Sequence, residues 1–305
     1  MPQDQLQLLV DFSRSVALRA SSRATYSSQV TQYRHLCQLL GLDPDLPITE
    51  EFHLECLSWL FCYNHSVHSL PSFFSAIEQH YRANSWDKLP RGQQFRQTAR
   101  GLKNIFGLAD VVSPAPALDL DDLRRLRASL DMANLRDLQF WCALSFGFFG
   151  LLRAGEFTGN SLCWKDLSFH PDGIYVTVPF SKTSLTPTPI FVARRFDDLC
   201  PVHAAGALSA YATPSSRFQP LYPYSYNAFN SEFKRRATAA GITKAVTSHS
   251  IRRGGATELF LAGVPEHLIM AHGRWVSMTW RQYIEFGASQ QRIPTMMLRD
   301  AHAAR

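Results

Sequence analysis

Towards the C-terminal end the sequence reads SHSIRRGGATELFLAGVPEHLIMAHGRWVSMTWRQY, from Ser248 to Tyr283. His249 and Arg252 are three residues apart, a spacing that puts both on one face of a helix. Gly254, Gly255 and Ala256 follow, leaving little bulk where another surface comes close. A second helical stretch leads to His272, Trp275 and, eight residues after the tryptophan, Tyr283. A guanidinium and an imidazole directed at one spot, with a phenol further on, point to attack on a phosphate by a protein hydroxyl. Arginine suits that anion because its planar fork gives two hydrogen bonds to one phosphate and keeps its proton.

His-x-x-Arg by itself is a weak signal. His249-Ser-Ile-Arg252, then Gly-Arg-Trp275, then Tyr283 at this spacing is a strong one, and it resembles the C-terminal signature of the tyrosine recombinases, or phage-integrase family. The wording HSIRRGGAT and GRW is most similar to recombinases of DIRS-type retrotransposons and Crypton elements. The resemblance implies cleavage and rejoining of DNA strands through a 3′-phosphotyrosyl intermediate, with Tyr283 as nucleophile, His249 as its base and no metal, ATP or other cofactor. It also implies that a histidine or tryptophan donates to the scissile phosphate. Trp275 is assigned that position from its spacing to Tyr283, with His272 as a second candidate that is equally a helix-terminal histidine. Arg253 is given DNA-backbone or structural work.

The remaining candidates depend on elements upstream. Asn134 to Leu152 is apolar nearly all round and reads as a buried helix delivering Arg153 at its end. Glu156 is three residues on, placed to brace Arg153 or to reach the site. On the residues by themselves, a helix-end arginine paired with Glu156 is the simpler reading. The resemblance, through LLRAGE, makes Arg153 the first catalytic arginine. CWKDLSF and IYVTVPF alternate apolar and polar residues around the turn HPDG, and PIFVA completes a small antiparallel sheet. Lys182 lies in the next loop. A loop lysine is usually only solvated, but the family carries a catalytic lysine in that hairpin, and Lys182 takes the role of protonating the departing 5′ oxygen. Lys165 is the one nearby competitor.

The predicted fold is mainly α with a small antiparallel sheet. An all-α N-terminal core-binding domain over 1–110 holds helices at Asp4–Ala20, Thr25–Leu40, Glu51–Asn64, Pro71–Asn84 and Gly92–Phe106, with Ser21-Ser22 between the first two. The proline-bearing stretch 111–118 is a linker, and an α+β catalytic domain spans 119–305, with Ser248 as candidate cap of the His249 helix. By resemblance the two domains close round DNA as a clamp.

The net charge of +6 permits a polyanionic partner without demanding one. Residues 1–112 carry ten basic and ten acidic side chains, so the later part holds the whole excess. Arg82, Lys88, Arg91, Arg96, Arg100 and Lys103 crowd one stretch whose only acid is Asp87. Such a cluster is as readily a solvated helix face. Alongside the C-terminal constellation it is read as a DNA-backbone contact, and so is the trio Lys234, Arg235 and Arg236. The six cysteines show no zinc-ligand spacing, and with no signal peptide at the N-terminus they indicate buried thiols in a reducing compartment. The expected location is intracellular, in the nucleus of a eukaryote or the cytoplasm or nucleoid of a bacterium.

The expected partner is double-stranded DNA, bound as a homo-tetramer whose tail, with the apolar piece Ile293–Leu298, docks on a neighbouring protomer. The alternative is a DNA-binding protein descended from such an enzyme that no longer cleaves. A topoisomerase-like enzyme is disfavoured by the short two-domain plan.

Overall fold

The structure is a computed structural model that describes residues 20–62, 70–106, 114–179, 186–212 and 214–285. The chain divides into two compact units, Met1–Ser113 and Pro114–Arg305.

The first unit is helical. Its described elements are α1 (Ala20–Leu39), α2 (Glu50–Cys62), α3 (Leu70–Ala83) and α4 (Gln93–Phe106). They bury Tyr33, Cys37, Phe52, Phe73, Phe74, Ile77 and Tyr81 in one core. The Thr49 hydroxyl accepts from the Phe52 amide at 3.3 Å, and Glu50 and Glu51 fill the first turn of α2, so this helix begins as its capping residues require. Ser21 and Ser22 are a correction: they lie inside α1 rather than ending a helix before it. The helix expected over Asp4–Ala20 falls, but for Ala20, outside the described residues.

In the second unit, α5 (Leu120–Ala128) starts at Asp119, which forms a capping box with Asp122. Lys244 binds both carboxylates, ties the start of α5 to the chain ahead of the His249 helix, and lowers the Asp119 pKa against the opposing effect of burial. Residues 114–118, expected in the linker, belong to this unit. Leu118 is wholly buried, and its amide donates to the Ser250 carbonyl at 3.0 Å. Next, α6 (Leu135–Phe149) is capped by Asn134 and buried along most of its length.

It does not run on to Arg153 as expected. It stops at Gly150, and Leu151 takes a left-handed conformation with φ 47°. A one-turn helix, α7 (Ala154–Phe157), follows.

The sheet has the order β1 (Leu167–His170), β2 (Gly173–Val178), β3 (Thr188–Ala193), antiparallel throughout. His170 pairs with Gly173 across the HPDG turn. Ile174, Val176, Val178, Ile190 and Val192 face inward, as their alternation dictates. The first strand is shorter than the sequence implies, because Trp164–Asp166 form a 3₁₀ turn held by the Asp166 carboxylate on the Cys163 amide.

Helices α8 (Pro201–Ser209), α9 (Tyr226–Ala239), α10 (Ser248–Leu261) and α11 (Glu266–Gly273) complete the unit, with a 3₁₀ segment over Met278–Tyr283. The cap of α10 is Thr247, not Ser248. Its hydroxyl accepts from the His249 amide at 3.2 Å, and the Ser250 hydroxyl accepts from the Thr247 amide in return. Ser248 instead donates to the Tyr226 hydroxyl.

The glycine pair sets how deeply α10 sits. A Cβ at Gly254 would stand 1.9 Å from the Leu118 carbonyl oxygen, and one at Gly255 would stand 2.1 Å from that of Phe148. Only hydrogen fits at either place, so α10 rests directly on the backbone of Leu118 on one side and of α6 on the other.

Candidate active site

The site is built on the break after α6. A helix that ends leaves its last carbonyls without partners, and here side chains from the C-terminal elements take them. Arg252, on α10, is 2 % exposed. Its Nη1 donates to the Leu151 carbonyl at 2.6 Å and its Nη2 to the Gly273 carbonyl at 2.6 Å. His272 donates from Nε2 to the Phe149 carbonyl at 2.8 Å. Burial first, then Arg274 and Arg252, lowers the His272 pKa, so this imidazole is held neutral.

Arg153 opens α7. Its amide and its Nη1 both reach Glu156, at 2.8 and 2.9 Å. Glu156 is buried and serves a second cation as well, accepting from Nη2 of Arg274 at 2.6 Å. The sequence reading passed over Arg274. It follows α11 in a left-handed conformation, φ 58° and ψ 40°, which turns its side chain back beneath the break, where Nη2 also reaches the Leu151 carbonyl at 3.3 Å. An arginine between a glycine and a tryptophan carries no spacing that announces this. The signal available was its place straight after a helix, where left-handed residues collect.

Trp275 is buried, its ring under the Arg252 guanidinium at 4.4 Å. Gly273 permits this, since any Cβ there would collide with the indole ring. Tyr283, half-buried at the end of the 3₁₀ segment, packs against Trp275 with ring centres 5.1 Å apart, and the Arg252 guanidinium lies 5.5 Å from its ring centre. Thr257 on α10 donates to the Tyr283 carbonyl and accepts from the Glu285 amide, fixing the segment that carries the phenol. Trp280 is core.

Arg153, Glu156, Arg252, His272, Arg274, Trp275 and Tyr283 are thus brought together. The guanidiniums of Arg153 and Arg274 share the Glu156 carboxylate, and that of Arg252 lies beside them on backbone carbonyls. Burial lowers the pKa of Arg252 and of Arg274, and repulsion from neighbouring arginines adds to it, so the centre favours an arriving anion. His249 stands one turn before Arg252 on α10 and is exposed. Lys182 lies outside the described residues.

The sequence profile of the phage integrase family matches residues 117–288, more than half of the chain and all of the residues just gathered.

The chain belongs to the phage integrase family.

It is a recombinase enzyme, and its mainly helical fold with a three-stranded antiparallel sheet is that of the family's solved structures. The Tn1549 transposon integrase in complex with transposon right end DNA is similar at a TM-score of 0.62 and 16% identity, covering 96% of this chain and 98% of that one. A lambda integrase dimer bound to a COC' core site gives 0.58 and 16%, over 93% and 95%. A lambda integrase tetramer bound to a Holliday junction gives 0.54 and 16%, over 92% and 77%. At these identities the likeness is one of fold. No curated protein matches the chain in sequence.

The basic residues expected at DNA divide into two groups. Arg82, Lys88, Arg91, Arg96 and Arg100 are exposed on the first unit, Arg82 paired with Glu78; the Lys103 side chain is outside the described residues. Lys234 and Arg235 are exposed on α9. Arg236 is a correction: its guanidinium donates to Asp137 at 2.6 Å and to Glu232 at 2.8 Å and lies over the Phe140 ring, so it locks α9 to α6. Arg253 is also engaged within the fold, with Nη2 on the Ile284 carbonyl at 3.5 Å and Nε 3.3 Å from the Glu285 carboxylate.

Proposed function

We propose that this chain is a site-specific DNA recombinase or integrase that cleaves and rejoins strands through a 3′-phosphotyrosyl intermediate, without metal or ATP. The observation that carries it is the phenol of Tyr283 beside the buried guanidinium of Arg252, in a centre with an excess of positive charge. Arg153 and Arg252 hold the non-bridging oxygens. The Tyr283 oxygen attacks phosphorus and passes its proton to His249, which DNA covers on binding. The bond to the 5′ oxygen breaks, and Lys182 protonates that oxygen. Trp275 closes the wall behind the phenol. The new ester retains most of the phosphodiester's bond energy, so a second hydroxyl reverses the step.

The finer assignments belong to the same reading. The wording HSIRRGGAT and GRW supports a mobile element of the DIRS or Crypton kind, acting where the chromosome is: the nucleus of a eukaryote, the cytoplasm or nucleoid of a bacterium. The helical unit over 1–110 serves as the core-binding half of a clamp on double-stranded DNA, with Arg82, Lys88, Arg91, Arg96, Arg100 and Lys103 on phosphates. The segment after Tyr283 joins protomers into a homo-tetramer.

A nicked duplex carrying the target, recovered by selection from a random-sequence pool, tests the central claim. The wild type is expected to form a covalent adduct that survives a denaturing gel, and Tyr283→Phe to form none. Binding of that target by the wild type without any adduct favours the non-cleaving alternative.

A further inference from the structure

Resting on the recombinase reading, we infer that Arg274 is a third phosphate-binding catalytic arginine, donating to the scissile phosphodiester in the place where spacing suggested Trp275.

The first reason is the accounting of donors. Arg274 is buried beside Arg252 and within reach of Arg153 through Glu156, and its side chain is 6% exposed. A guanidinium buried for structural purposes has its N–H groups satisfied. That of Arg274 is not. Nη2 is divided between Glu156 and the Leu151 carbonyl, Nη1 has only a 3.5 Å contact with the His272 carbonyl two residues before it, and Nε is buried with no acceptor among the described residues. The Nε of Arg252 is in the same condition; that of Arg253 also lacks a hydrogen bond but has the Glu285 carboxylate 3.3 Å away. Two adjacent cations with unmet buried donors indicate a shared anionic acceptor that arrives with the substrate.

The second reason is charge. Glu156 offsets one of the three guanidiniums, so a phosphodiester carrying a single negative charge still meets a net positive centre. As the Tyr283 oxygen closes on phosphorus, negative charge on the non-bridging oxygens grows, and a third guanidinium already in place stabilises that state more than the ground state.

The third reason is what Trp275 does instead. Its ring is taken up between the Arg252 guanidinium and the Tyr283 ring, as a platform for both. The left-handed backbone at residue 274 serves the same end. A non-glycine residue takes that conformation only at a cost, and from it the Arg274 side chain reaches Glu156.

A neutral substrate separates charge neutralisation from mere positioning of Glu156. Wild type, Arg274→Ala and Arg274→Gln are compared on the nicked target, once with the natural phosphodiester at the bond the wild type cuts and once with a methylphosphonate there, which lacks one anionic oxygen. The glutamine keeps a donor for Glu156, and melting temperatures report whether each variant is folded. On the phosphodiester both variants are expected to form adduct on the order of 10²-fold more slowly than wild type. On the methylphosphonate they should come within several-fold of it. Equal slowing on both linkages, recovery by Arg274→Gln on the phosphodiester, or an unimpaired Arg274→Ala overturns the inference while leaving the recombinase reading intact. A wild type that binds the target and forms no adduct on either linkage sinks that reading and the inference with it.

Discussion

Arg252 and Tyr283 of a single chain meet: the guanidinium carbon lies 5.5 Å from the centre of the phenol ring. The backbone between them is short and well tied, with Thr257 bound at both Tyr283 and Glu285. On the recombinase reading proposed above, the nucleophile would therefore serve the phosphate pocket of its own chain.

Cutting by a chain's own phenol has a direct test. A mixture of Tyr283→Phe and Arg252→Ala proteins on the nicked target should yield no more adduct than either alone, because neither supplies phenol and pocket together. Adduct at a sizeable fraction of the wild-type amount would show that one protomer's tyrosine reaches another's arginines.

The contact of α10 with α6 predicts a stability effect that comes from packing and removes no charged group. Gly255→Ala places a methyl 2.1 Å from the Phe148 carbonyl oxygen, which is backbone and gives little. Overpacking of this kind costs roughly 1–3 kcal/mol, and the shift moves α10 relative to the Leu151 carbonyl that Arg252 binds. Urea unfolding should show the loss, and adduct formation should fall with it. Gly206→Ala, with open space around its Cβ position inside α8, is the control that should raise stability slightly and leave adduct formation unchanged.

The first unit carries a pH dependence. His53 is wholly buried on α2, its Nδ1–H donating to the Pro90 carbonyl at 3.0 Å, and burial pushes its pKa from 6.5 down to about 4. Above pH 6.5 the ring is neutral in both states and costs nothing. As pH falls below 6.5 the unfolded chain binds a proton that the folded chain refuses until pH is near 4, so stability is lost across that interval. The loss amounts to roughly 3 kcal/mol at 1.36 kcal/mol per pH unit. Urea unfolding of wild type and His53→Gln across this range should show the steeper decline in the wild type. Parallel declines would mean that carboxylates alone set the acid limit.

Much of this was legible beforehand, for local reasons. Thr49 and Asp119 are capping residues in front of amphipathic runs, and their helices start just after them. HPDG predicted a hairpin, and His170 pairs with Gly173. What escaped depends on partners distant in sequence or on backbone conformation. Arg236 read as one of three basic neighbours, but Asp137, ninety-nine residues earlier, withdraws it from the surface; Glu232, four residues before it, was the visible hint. The break at Gly150 was hidden inside an apolar run, since the periodicity of FGFFGLL continues through it while the backbone does not. Arg274 needed both: a left-handed residue to turn it and Glu156 to receive it.

The two carbonyls that orient Arg252 lie at residues 151 and 273, on either side of it in the chain. A ribosome that has finished α10 has thus made both Arg153 and Arg252 without the second of those acceptors and without the phenol. A polypeptide released at that stage has its cations in hand but neither the grip that aims them nor a blade, so on the proposed mechanism translation that stops short would leave nothing able to nick the genome.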